Sequence, residues 1–266
     1  MDMNGINAVR YPLELFSGIH FAILAVFIPA AFFLAFVISK KFGFSKKVLW
    51  VVFAICMLCE IEKILFFIEA TGYGYGYRLP AAQLPFNMCP FMIFFIFILA
   101  ISQDIKRLWP LLGFMFPMLT AGAAAGMVVA FAANTYHGLL DLATWRYFIF
   151  HSTLVFTGVY LYLSRPIQWT IREYGASLLG GLSLVVVGIW INAFFGWNPQ
   201  INFLFLVRAP TEGLAFLNMD DGWLTYLLRL MSLGLYTFTF LYLPVIIRDT
   251  RGFVKRVREK RNTSPR

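Results

Sequence analysis

Residues 17–39 read SGIHFAILAVFIPAAFFLAFVIS, without one charged side chain, and close on Lys40 and Lys41. A helix needs about 20 apolar residues to cross the hydrocarbon core of a bilayer, where every backbone N–H and C=O must be satisfied inside its own segment. The stretch is therefore read as a membrane span. Six further runs of the same kind lie at roughly 48–69, 84–102, 109–132, 146–163, 176–196 and 223–247. The pattern predicts an all-α polytopic membrane bundle of about seven helices in one domain, 1–247, followed by a basic cytoplasmic tail, 248–266. Composition agrees: 60% of the 266 residues are hydrophobic and 13% charged, against about 25% charged in a soluble domain. The first run does not read as a cleavable signal. Arg10 is offset by Asp2 and Glu14, the apolar stretch is too long, and no soluble domain follows it.

Orientation comes from the cations, because short loops rich in Lys and Arg stay cytoplasmic. Lys40, Lys41, Lys46 and Lys47 follow the first span, Lys106 and Arg107 the third, and Arg165 and Arg172 the fifth. The tail adds eight more between Arg248 and Arg266, so 16 of the 22 cations fall on one side. The expectation is an N-terminus outside and a C-terminus inside. The net charge of +9 then reflects topology and attraction to an anionic inner leaflet. No basic face or RNA-binding module accompanies it, which argues against a nucleic-acid partner.

Ionisable groups inside a membrane are costly and mark function by default. The second span holds Glu60, Glu62, Lys63 and Glu69. Glu60 and Lys63 are spaced to neutralise each other, and Glu62 or Glu69 is expected to face a cavity. The segments Gly122-Ala-Ala-Ala-Gly126 and Gly180, Gly181, Gly188 read as close helix packing. Three cysteines, Cys56, Cys59 and Cys89, cannot close a disulfide framework. Cys56 and Cys59 sit within an apolar helix, where cysteine behaves as a small hydrophobe.

The most informative chemistry is in Leu84-Pro85-Phe86-Asn87-Met88-Cys89-Pro90. Pro90 is tolerated in a first turn and disfavours α geometry at Cys89, so the regular helix is expected to begin at Pro90. Cys89 would then lie at the positive end of a helix dipole, which favours a thiolate. A nucleophilic thiol needs a base. The three histidines are His20, His137 and His151, and the topology puts His20, Cys89 and His151 at similar outer depth. The apolar outer stretch from Asn198 to Pro210 is expected to fold back over the mouth of the bundle, with Asn198, Asn202 and Arg208 as polar contacts.

These residues resemble the YwaF-like bacterial membrane proteins and their eukaryotic relative, the transmembrane protein 164 family. The resemblance rests on Leu84-Pro85 with Cys89, on His151, and on the stretch from Asn202 to Pro210. Where the family pattern commonly has His, this chain has Asn87. The resemblance implies an acyltransferase or acyl hydrolase of membrane lipids in the cell membrane, with no cofactor or metal, Cys89 as nucleophile and His151 as base. Phospholipid donor and lipid acceptor would be its partners. His20, Glu62, Glu69, Asn87, Asn198, Asn202 and Arg208 are the candidate substrate contacts, with Asn87 or backbone N–H groups near Pro90 as oxyanion donors. A transporter using Glu60, Glu62 and Glu69 is the alternative. A thiol oxidoreductase would need a second, outward-facing cysteine pair, and a retinal receptor would need a lysine in the last span, where Arg229 is the only cation.

Overall fold

A computed structural model describes residues 16–70, 77–80, 84–85, 87–129, 139–198, 201–207, 215–217 and 219–263. Among them the helices are α1 (Gly18–Phe42), α2 (Lys46–Phe67), α3 (Met88–Ile101), α4 (Trp109–Pro117), α5 (Ala123–Val129), α6 (Leu142–Ser164), α7 (Ile171–Phe194) and α8 (Trp223–Thr263). A 3₁₀ turn at Ile105–Leu108 leads into α4, and a π turn at Met118–Gly122 joins α4 to α5. These pieces form one rod, Ile105–Val129. Seven rods therefore correspond to the seven predicted spans, and the protein is an all-α membrane bundle.

Among the described residues, five rods are long and apolar enough to cross a bilayer. The other two depart from that pattern for visible reasons. α2 carries Glu60, Glu62 and Lys63 within its last turns, and α3 has only 14 residues because its N-cap Asn87 is extended. The sequence placed Glu69 at the end of the second span. The helix stops at Phe67, and Glu69 belongs instead to a two-residue ladder, β1 (Glu69–Ala70) with β2 (Tyr77–Arg78), its backbone opposite Arg78.

The centre of the bundle is α6 together with the α4–α5 rod. Their apolar windows are 56% and 61% buried, against 17–22% for α1, α7 and α8, whose exposed faces suit lipid. α6 packs on α1, α2, α4, the π turn and α5. Gly180 lets α7 close on α4, since a Cβ there would lie 2.5 Å from the Phe114 ring.

The cation-bearing connections meet at one end of the molecule. Tyr160 of α6 donates its hydroxyl to the Gly43 carbonyl at 2.8 Å and accepts from the Ser45 N–H at 2.7 Å, tying the α1–α2 turn to α6. Arg172 stacks on Trp109 at 3.4 Å, the Ile171 N–H donates to Asp249 at 3.0 Å, and Arg248 donates to the Trp169 carbonyl. This end carries Trp50, Trp109 and Trp169, while Trp145, Trp197 and Trp223 mark the other, as an aromatic belt at each interface would. α8 runs unbroken from Trp223 to Thr263, so the described part of the basic tail is a helical continuation of the last span.

Candidate active site at the end of the bundle opposite the cations

Cys89 sits in the first turn of α3, which begins two residues earlier than the prolines alone predict. Asn87 is the extended N-cap (φ −68°, ψ 155°), and its carbonyl accepts from the Phe91 N–H at 3.0 Å. The helix thus begins at Met88, with Cys89 second and Pro90 third. Pro90 forfeits nothing there, because N–H groups of a first turn have no intrahelical partner. Cys89 is half-buried and free.

His151 is buried on α6, one turn beyond Tyr147. Its Nδ1 lies 2.8 Å from the Tyr147 carbonyl oxygen. A carbonyl only accepts, so Nδ1 carries the proton and Nε2 holds the free lone pair. That face of the ring abuts Gly126: a Cβ on Gly126 would stand 2.9 Å from Cδ2 and 3.0 Å from Nε2. One turn back along the same rod, a Cβ on Gly122 would meet the Met88 side chain at 2.6 Å. The Gly122 to Gly126 segment is therefore more than a helix-packing motif. It is a floor without side chains at either end, on which the first turn of α3 and the imidazole of α6 both rest.

His20 shares this depth. Its Nδ1 accepts from the Phe16 N–H at 3.1 Å, and its Nε2–H donates to the Met127 carbonyl at 3.0 Å. Both ring nitrogens are thereby spent on backbone, which makes His20 a buried tether of α1 to α5. His137 and Arg208 lie outside the described residues.

The carboxylates of α2 are neutralised. Glu60 pairs with Lys63 as its spacing predicts. Glu62, expected to face a cavity, instead pairs with Arg146 of α6 at 2.6 Å. The partner was visible as a cation at the start of the fifth span, but sequence cannot tell which helix it faces.

The connection after α7 folds back onto the bundle. Asn192, fully buried, donates from Nδ2 to the Gly188 and Phe203 carbonyls at 2.8 and 2.9 Å and accepts from the Phe203 N–H at 3.1 Å. Trp223 donates to the Leu206 carbonyl at 2.7 Å, and Tyr226 to that of Phe205 at 2.5 Å. Leu204 and Phe205 hold left-handed backbone (φ 56° and 58°), a costly conformation for non-glycine residues that such contacts must over-determine. Asn202 Oδ1 accepts from the Val207 N–H at 2.9 Å, and the Asn198 carbonyl from the Ile201 N–H at 2.8 Å. The Asn202 side chain thus helps to shape the segment itself. Asn87 Oδ1 accepts from the Leu204 N–H at 3.4 Å, which joins this segment to the N-cap beside Cys89 and turns the Asn87 amide N–H groups away from it. The residue that sequence reading missed is Asn192, whose signal was a lone amide within an apolar span.

Fold and site together define a polytopic membrane protein with a cysteine and a buried, single-tautomer histidine at one level of the bundle. The sequence profile of the TMEM164 family matches residues 15–242, and the chain belongs to that family. No curated protein and no solved structure matches it.

Proposed function

We propose that this protein is a lipid acyltransferase or acyl hydrolase of the cell membrane, with Cys89 as nucleophile and His151 as base. The observation that carries the reading is the His151 tautomer: Nδ1–H is committed to the Tyr147 carbonyl, leaving Nε2 unprotonated on the floor that also supports the first turn of α3. A base needs that free lone pair, which His20, with both nitrogens engaged, lacks.

In the first half-reaction Nε2 takes the Cys89 proton and the thiolate adds to the ester carbonyl of a phospholipid. The tetrahedral intermediate collapses as the imidazolium returns its proton to the departing lysolipid oxygen, leaving a thioester on Cys89. In the second, His151 takes a proton from the hydroxyl of an acceptor lipid or from water. That oxygen attacks the thioester, the acyl group leaves on the acceptor, and the thiolate is reprotonated. The unpartnered first-turn N–H groups of α3 and the Asn87 amide are the donors available to the oxyanion in a low-dielectric site.

The transporter reading is less well supported, because Glu60 and Glu62 each have a cationic partner and Glu69 lies beyond the helix. The test is acyl exchange between a fluorescent phospholipid and a lysolipid in proteoliposomes, with intact-protein mass spectrometry for the thioester. Cys89→Ser and His151→Ala should abolish both signals. Activity retained in Cys89→Ser would reject the reading. Free fatty acid without acyl-lipid product would make the protein a hydrolase.

A further inference from the structure

We propose that Tyr147 is the positioning residue of the base: its hydroxyl, anchored on the Gly126 carbonyl, and its ring, packed on the imidazole, hold His151 Nε2 over the glycine floor. The inference rests on the acyl-transfer reading and deepens it. Three observations converge on this one side chain. Its hydroxyl donates to the Gly126 carbonyl at 2.7 Å, its ring centroid lies 4.1 Å from that of His151, and its own carbonyl accepts the Nδ1–H at 2.8 Å.

The Gly126 carbonyl is one of those in the last described turn of α5. Two of them are capped from other helices: Gly126 by Tyr147 of α6, and Met127 by His20 of α1. The two caps are not equivalent. Among their ring contacts, His20 meets Phe148, whereas Tyr147 meets the imidazole itself. A phenylalanine at 147 would keep the ring and the backbone carbonyl but would leave α5 untied from the base.

A positioning role predicts a loss of turnover without a loss of binding, since misplacement of a catalytic group raises the barrier more than it weakens substrate contacts. Tyr147→Phe should lower kcat for acyl exchange about tenfold, with KM within about twofold and an unchanged melting temperature in detergent. Histidine-selective ¹⁵N NMR gives a second readout, in which His151 should be the Nδ1–H form in both proteins, since the Tyr147 carbonyl is retained, with its ring resonances shifted and broadened in Tyr147→Phe. Native kcat in Tyr147→Phe, with Cys89→Ser and His151→Ala both inactive, would overturn the positioning role while leaving the acyl-transfer reading intact. Activity in Cys89→Ser would instead overturn the acyl-transfer reading. Should Tyr147→Phe fail to fold, the native spectrum still decides, because a dominant Nε2–H form of His151 contradicts the arrangement.

Discussion

Gly126→Ala is the sharpest perturbation of the proposed site, because its steric consequence can be worked from two contacts. The added methyl would stand 2.9 Å from His151 Cδ2 and 3.0 Å from Nε2, whereas nonbonded atoms settle at about 3.5–4.0 Å. The imidazole must therefore retreat by roughly 0.5–1 Å, and a displacement of that size in a catalytic group costs on the order of 100-fold in rate. Stability should change far less. Overpacking costs about 1–3 kcal/mol, and replacing a helical glycine by alanine returns about 1 kcal/mol. The net destabilisation is then about 0–2 kcal/mol. Gly234→Ala in α8 is the matched control, since nothing lies within 4 Å of its Cβ position; it should gain up to about 1 kcal/mol and keep full activity. The assay is acyl exchange in proteoliposomes beside thermal unfolding in detergent. Wild-type exchange by a folded Gly126→Ala protein would refute the idea that the glycine floor seats the base.

Other consequences can be checked separately. Glu62→Gln should leave Arg146 without its partner and cost about 1–3 kcal/mol in detergent unfolding, whereas joining it to Arg146→Met should recover much of the loss; equal loss in both would mean that the pair contributes nothing. Asn192→Leu strips three hydrogen bonds from the Gly188–Phe203 contact and should destabilise by about 2–4 kcal/mol, with amide exchange rising first at 201–207; unchanged protection there would show that Trp223 and Tyr226 hold the segment alone. Reporter fusions should place residues 1–15 outside and 248–266 in the cytoplasm. The opposite pattern would remove the outer location assigned to Cys89 and His151.

How far the sequence reaches can be judged from particular residues. Hydrophobic length alone set the helix count, because a backbone in lipid has no other way to satisfy its hydrogen bonds, and a seven-rod bundle followed whatever the side chains were. The Glu60–Lys63 pair was legible for a similar reason: both residues sit on one helix at fixed spacing. The helix start at Met88 was missed by two residues, since the proline rules constrain the backbone but leave the choice of N-cap to Asn87 and its neighbours. The partners across helices lay beyond sequence altogether. Which helix Arg146 faces, which backbone groups claim both nitrogens of His20 and only one of His151, and that Gly126 is a seat for a base all depend on the rotation of each rod about its axis. In a bilayer that rotation is set by side-chain packing and interhelical hydrogen bonds, since lipid offers apolar faces as good a solvent as another helix does. Sequence therefore determined which residues share a depth in the membrane, and only the packed bundle decided which of them meet.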